Sequence, residues 1–318
     1  MRTKSTGNIY TSNSCKVKEK KFGTLQASQG FHILDSMTTN RVLAGPLGDC
    51  CFDPGFKHEG TPASTKITIA GVPTYLSEPP KSQEGSGDDP PKVFIFLADV
   101  NGASWPNNLL LMDTFAQYGF TVLAVDYFLG DGVYLHTESD FDRDKWKDDM
   151  HTLARGIMPG WWEAVKKEYG REAKYCVAGY CFGAPYTMQL AADDVVVAAA
   201  LAHPAFLNED HFRNIKSKFY FSQSDPLLLK SLLEPLLLSC AETDHTFPTE
   251  SRRIAEDILI SNKANYYFQV FSGVVHGFAN RGDPSIPDYR WAKEQSAQGI
   301  SQWFHRFLDV SLAKPQGD

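Results

Sequence analysis

The chain has 318 residues, of which 42% are hydrophobic, 22% charged and 13% aromatic, an ordinary globular composition that excludes disorder as the state of the whole chain. Thirty-one basic against 38 acidic side chains leave a formal charge of −7 and a pI near 5.7. That balance disfavours a nucleic-acid partner held by phosphate neutralisation, and no apolar run reaches the ~18 residues that a membrane span requires.

Residues 1–45 differ from the remainder. Arg2, Lys4, Lys16, Lys18, Lys20 and Lys21 lie in a polar, Ser/Thr/Asn-rich stretch without the apolar centre of a secretory signal, which reads as a disordered basic tail. Against Glu19 they carry about +5, so the remainder of the chain holds about −12. Residues 46–318 read as a single domain. Runs at 66–70 and 73–76, separated by Gly71, predict an antiparallel hairpin at a sheet edge, and 77–92 has loop composition. The stretch 93–97 is continuously apolar, the pattern of a strand buried on both faces. A helix is expected over 106–117, stopped by Gly119, then a second buried strand at 120–125. A long helical stretch at 142–168 carries Pro159-Gly160, where an interruption is expected. Strands are expected at 174–178, 195–201, 236–241 and 266–271, a short helix at 184–192, a Leu-rich helix within an insertion at 215–234, and a closing helix at 290–309. Doubly buried strands alternating with helices predict an α/β fold with a mostly parallel central sheet and helices on both faces.

Gly179-Tyr180-Cys181-Phe182-Gly183 stands between a predicted strand and a predicted helix. A strained strand-to-helix turn of this kind lifts its central side chain out of the sheet, and the flanking glycines relieve the crowding. An isolated motif of this spacing is more often a core cysteine between incidental glycines; the strand and helix around it favour a nucleophile. The following helix would aim its amides and dipole at the sulfur. A nucleophile needs a base and an orienting acid, expected in the chain order nucleophile, acid, histidine. His276, in the loop after the last strand and followed by Gly277, is preferred over His203 and His245. Asp244, at the end of a long apolar strand, is preferred over Asp225, which follows a short run at 218–221.

Six cysteines are too few for a disulfide scaffold here, and the adjacent Cys50 and Cys51 are poorly placed to bridge each other, which suggests a reducing, cytoplasmic setting. With His58 the pair suggests a metal site, but adjacent thiols lack C-x-x-C spacing and no second pair follows. Packing is the simpler reading, and no metal is assigned. Tyr127, Phe128, Trp146, Trp161 and Trp162 are candidates to line an apolar acyl pocket, although aromatic residues at such spacings more often fill core.

Over about residues 48–310 the chain resembles the dienelactone hydrolase family of α/β-hydrolases, particularly its fungal branch. The resemblance lies in four blocks in order: Cys50-Cys51 with Gly55 and 58–62; Gly179 to Gly183; Glu242-Thr243-Asp244-His245 followed by Ser251-Arg252; and His276-Gly277-Phe278-Ala279 with Arg281. It implies the α/β-hydrolase fold, a triad of Cys181, Asp244 and His276, no cofactor, and an oxyanion hole made by the backbone amides of Val100 and Phe182. In the family a carboxylate, usually glutamate, helps activate the thiol; the matching position is Asp99, one methylene shorter. Bacterial members bind a substrate carboxylate with two arginines, of which Arg281 matches one, displaced by a residue, and Arg143 is a candidate for the other. Tyr127 is the further candidate for substrate contact. The resemblance thus implies a cysteine hydrolase of small-molecule lactones or esters, acting through a thioester acyl-enzyme as monomer or homodimer, with a natural-product or polyketide substrate in view. Acyl transfer or cyclisation at the same site, and a non-catalytic binding protein on a degenerate hydrolase fold, are the alternatives.

Overall fold

A computed structural model describes residues 40–53, 55–81, 90–215, 217–220, 230–233 and 235–308. Chain order runs β1 (Val42–Ala44), β2 (Thr65–Ile69), β3 (Val72–Ser77), β4 (Lys92–Leu97), α1 (Pro106–Gln117), β5 (Thr121–Val125), α2 (Arg143–Tyr169), β6 (Lys174–Tyr180), α3 (Ala184–Ala191) and β7 (Val196–Ala202). It continues with β8 (Leu207–Asn208), α4 (Glu209–Arg213), β9 (Ser217–Tyr220), β10 (Lys230–Leu233), β11 (Leu236–Thr243), α5 (Thr249–Ser261), β12 (Tyr266–Val275), α6 (Phe278–Arg281) and α7 (Pro287–Leu308).

Eight strands form one sheet in the order β12-β11-β7-β6-β4-β5-β3-β2. The six from β12 to β5 are parallel, and β3 and β2 close the edge as the antiparallel hairpin expected around Gly71. Side chains of a strand alternate between faces, so a run without polar members must be covered twice. In β4, Val93, Ile95 and Leu97 enter one core while Phe94 and Phe96 enter the other. Helices α2, α3 and α5 close the first core through residues such as Trp161, Tyr186 and Leu259. Helices α1 and α7 close the second, where Phe94 meets Phe115 and Phe304 edge-on at 4.6 and 5.1 Å. Each such buried ring stabilises the fold by roughly 1.5–3 kcal/mol relative to exposure. Among the described residues no helix is long and apolar enough to cross a membrane.

Four expectations are corrected. Helix α2 runs unbroken through Pro159. Arg155, whose carbonyl loses its i+4 donor to the proline, lies with Pro159 on the exposed side of the helix, while Met158 and Trp161 pin the helix to the core. Helix α7 starts at Pro287, before residue 290, because a proline is well accommodated at the first helical position. In the 215–234 insertion, Lys230–Leu233 is a strand paired antiparallel with Ser217–Tyr220, where a helix was expected; Asp225 lies outside the described residues. Finally, β1 falls inside the stretch read as tail. It pairs with β8 and buries Leu43 and Ala44, so the folded unit reaches back to Asn40, while residues 1–39 lie outside the described ones.

Candidate active site

Strand β6 ends at Tyr180, and Cys181 opens a 3-10 turn with φ 48°, a left-handed conformation that a non-glycine residue adopts only under constraint. The glycines of the motif are sterically required. A Cβ at Gly179 would lie 2.2 Å from Thr187 Oγ1 and 2.6 Å from the Gly183 carbonyl oxygen, and one at Gly183 would lie 2.3 Å from the Leu97 carbonyl oxygen. Helix α3 starts immediately after the turn, so its positive end faces the thiol.

Parallel strands deliver the partners at the same edge of the sheet. Asp244 follows β11 and His276 follows β12, and both are buried. His276 Nε2 lies 3.2 Å from Cys181 Sγ, and its Nδ1 lies 2.9 and 3.1 Å from the two Asp244 oxygens. Asp244 Oδ1 also accepts from the backbone N–H of Thr246 (2.9 Å) and Phe247 (3.2 Å) and from the Thr246 hydroxyl (2.8 Å). Thr246 Oγ1 is 3.0 Å from His276 Nδ1 as well, so this threonine touches both members. A threonine two positions after an aspartate is the sequence signal of such a carboxylate-capped turn. Burial opposes charge on His276, but the Asp244 carboxylate and Cys51 outweigh it and push its pKa up to about 10. Burial works against the Asp244 anion too, yet His276 and Thr246 hold it below the usual carboxylate range.

The rival histidines surround His276 without replacing it. The rings of His203 and His245 each lie 4.9 Å from that of His276. His203 is fully buried and held neutral by burial and by His276, and neither of its ring nitrogens has a hydrogen-bond partner among the described residues. His245 instead joins the thiols at the N-terminal block: Cys50 Sγ lies 3.2 Å from its Nδ1 and Cys51 Sγ 3.5 Å from its Nε2. Cys50, Cys51 and His245 offer ligand atoms within 4.8 Å of one another, as do Cys51, Cys181 and His276, and Asp244, His245 and His276, so the three groups run together into one cluster. His58, considered with Cys50 and Cys51 for a metal site in the sequence, is turned elsewhere: its Nε2 bonds the Gly282 carbonyl at 2.9 Å and its Nδ1 meets Lys293 Nζ at 3.1 Å.

Asp99 has other partners, and among the described residues no hydrogen bond joins it to the thiol. Its carboxylate is fully buried and accepts from Asn101 N (3.2 Å), Asn101 Nδ2 (3.0 Å) and Asn108 Nδ2 (3.0 Å), with Arg281 Nε at 3.6 Å. Arg281 is buried, and its Nη1 donates to the carbonyls of Cys50, Cys51 and Asp53 at 2.7–3.0 Å, so it ties the Cys50-Cys51 turn to α6. Arg143 stands apart and half exposed, bonded to Asp49 at 3.2 Å and 5.0 Å from the Phe52 ring centroid, at the rim of a cavity of about 420 Å³. Tyr127 is core: its hydroxyl donates to the Ala98 carbonyl.

The aromatic candidates divide. Phe128 packs 4.9 Å from Phe182 and 5.3 Å from Trp146, next to the elbow. Trp161 and Trp162 are structural, their indole N–H groups donating to Thr74 Oγ1 (2.9 Å) and Asp193 Oδ2 (2.8 Å). On the other side of Phe182, His151 stacks at 4.1 Å and opens onto a groove of about 950 Å³ shared with Arg155, Tyr186 and Phe206. Val100 N–H has no hydrogen-bond partner among the described residues, and in the 3-10 turn the first bonded donor is Ala184, after Phe182.

A parallel sheet covered on both faces, with a cysteine at a strand-to-helix elbow and histidine and aspartate at the ends of later strands, has the α/β-hydrolase fold. Solved structures share it: a protein assigned as a dienelactone hydrolase from Klebsiella pneumoniae superposes with a TM-score of 0.54 at 17% identity, over 79% of this chain and 99% of that one. A puromycin hydrolase does so with a TM-score of 0.51 at 14% identity, over 80% of this chain and 40% of that one. Residues 72–308 match the model of the dienelactone hydrolase family. Dienlactone hydrolase 1 of Gibberella moniliformis is 34% identical over 86% of this chain and 97% of its own length. Hydrolase tropI of Talaromyces stipitatus is 28% identical over 83% and 97% of the two chains, and a carboxymethylenebutenolidase homolog of Xenopus tropicalis 23% over 84% and 100%. The chain belongs to the dienelactone hydrolase family and is a hydrolase of the ester- and lactone-cleaving class.

Proposed function

We propose that the protein cleaves a small-molecule lactone or ester with Cys181 as nucleophile, His276 as acid and base, and Asp244 as the group that orients and charges the imidazole. The single observation that carries this reading is the His276 ring, with Nε2 3.2 Å from Cys181 Sγ and Nδ1 2.9 Å from Asp244 Oδ1. Cys181 passes its proton to His276 and attacks the carbonyl carbon. The oxyanion is held by the Val100 and Phe182 amides and by the start of α3. His276 then protonates the leaving alkoxide, a thioester forms on Cys181, and His276 takes a proton from water to hydrolyse it.

Asp99 lies outside the chemistry in this reading, fully engaged by Asn101, Asn108 and Arg281. The names Dienlactone hydrolase 1 and 2 of two fungal relatives support a lactone substrate, and a natural-product or polyketide lactone is the substrate class in view. The free thiols at Cys50, Cys51, Cys176, Cys181 and Cys240 support a reducing, cytoplasmic location. The decisive experiment is hydrolysis of an activated ester together with intact-protein mass. Loss of turnover in Cys181→Ser and His276→Ala, with an acyl adduct mapped to Cys181, is the expected result. Full activity in either variant would refute the reading.

A further inference from the structure

The proposed cycle has no step for Cys51, yet its sulfur lies in the site. The Sγ atoms of Cys51 and Cys181 and a ring nitrogen of His276 are all within 4.8 Å of one another. Cys51 is fully buried and occupies the 3-10 turn Asp49–Phe52. Arg281 pins that turn by its bonds to the carbonyls of Cys50, Cys51 and Asp53, and a Cβ at Gly55 (φ 66°) would lie 2.8 Å from the Arg281 side chain and carbonyl oxygen. The second thiol is therefore held at the first. Outward from it, the half-buried Cys50 and the exposed His245 extend the contact toward solvent.

We propose that Cys51 is a resolving thiol for Cys181: hydrogen peroxide oxidises the nucleophile, and the site closes as a Cys51–Cys181 disulfide that stops hydrolysis until a dithiol reduces it. The inference rests on Cys181 being the nucleophile proposed above. In the first step the Cys181 thiolate attacks one peroxide oxygen and the O–O bond breaks. The departing hydroxide takes the former thiol proton from His276 as water and leaves a sulfenic acid. In the second, the Cys51 thiolate attacks that sulfur, the S–S bond forms, the S–O bond breaks, and hydroxide leaves with the Cys51 proton as a second water. Two thiols and one peroxide thus give one disulfide and two waters. Closing the sulfurs to about 2.05 Å requires side-chain rotation over a short gap within one pinned turn.

The two adjacent thiols are placed differently: Cys51 is fully buried beside the Cys181 sulfur, whereas Cys50 is half-buried and meets His245 at 3.2 Å. Cys176 and Cys240 are fully buried in β6 and β11, and burial raises both.

The test treats the full chain with hydrogen peroxide, caps free thiols with iodoacetamide and maps disulfides by mass spectrometry without reduction. The expected product is a peptide pair linked through Cys51 and Cys181, with hydrolysis of an activated ester lowered about tenfold or more and restored by dithiothreitol. In Cys51→Ala the same dose should inactivate without recovery, because the sulfenic acid has no resolving thiol and oxidises further. A Cys50–Cys51 link, or Cys181 recovered as sulfinic acid beside alkylated Cys51 in the unsubstituted chain, would overturn the proposal. Linkage is read without substrate, so the two readings fail separately: hydrolysis without the link removes the resolving thiol, and the link without hydrolysis removes the catalytic assignment.

Discussion

Cys181 and His276 are 95 positions apart in the chain, yet the Sγ of one lies 3.2 Å from the Nε2 of the other, because β6 and β12 are parallel members of one sheet and end on the same side. That placement has a consequence for pH. Asp244 and Cys51 overcome burial and raise the His276 pKa from 6.5 to about 10, so the folded chain binds this proton more tightly than the unfolded chain. The resulting stabilisation is fully present below about pH 6.5 and is lost as pH rises through about 10. Between pH 7 and pH ~10.5 the urea midpoint of the unsubstituted protein should fall further than that of His276→Gln. Equal losses in the two would show that His276 carries no raised pKa.

Thr246 is placed to tune the pair. Its hydroxyl shares one proton between Asp244 Oδ1 and the Pro204 carbonyl, each at 2.8 Å, and lies 3.0 Å from His276 Nδ1, while the Asp244 contacts from the backbone N–H groups of Thr246 and Phe247 survive substitution of the side chain. Thr246→Val should lower kcat by about tenfold, the value of one lost hydrogen bond to a charged group, with KM little changed. Thr246→Ser should recover most of it, and a Ser variant as slow as Val would place the effect in packing.

The contrast between legible and hidden features follows from range. The strand read at 93–97 falls within β4 and the one read at 195–201 lies one residue from β7, because nearly every position is buried and a doubly covered strand leaves an unbroken apolar run. The elbow reads correctly because its glycines answer a local steric demand. Other features depend on partners that no spacing reveals. The Tyr127 hydroxyl is taken up by Ala98, Asp99 is satisfied by Asn101 and Asn108, and Cys51 meets residues 181 and 276 only through the fold. Pro159 misleads because proline chemistry predicts a lost bond but not that Arg155 and Pro159 lie on the exposed side of a helix held by its other face.

The elbow glycines make a controlled stability test. Gly183 has an ordinary helical φ of −70°, so the barrier to substitution is space alone: its Cβ would meet the Leu97 carbonyl oxygen, backbone of a central strand, at 2.3 Å. Gly183→Ala should cost about 3 kcal/mol or more by urea unfolding. A Cβ added at Gly156, on the exposed face of α2, would meet nothing within 4 Å, and Gly156→Ala should stabilise by about 0.5–1 kcal/mol.

Arg281 separates a structural from a substrate-binding role. A guanidinium that binds substrate carboxylate raises KM for anionic esters when removed and leaves neutral esters alone. The bonds seen here run instead to three backbone carbonyls of the Cys50–Asp53 segment and toward Asp99. Lysine presents a single ammonium and cannot serve both the carbonyls met by Nη1 and the Asp99 carboxylate approached by Nε. Arg281→Lys should therefore lower the unfolding midpoint by the equivalent of about 2–4 kcal/mol, since it leaves buried carbonyls and the Asp99 carboxylate short of partners. Amide hydrogen exchange should accelerate across 49–53, where the turn loses its anchor, before it changes in α7. Turnover of neutral and anionic esters should change by the same factor, because the bonds of Arg281 run to the backbone of the 50–53 segment and toward Asp99, whichever substrate is used. A rise in KM confined to anionic esters, with exchange at 49–53 unchanged, would return Arg281 to substrate recognition.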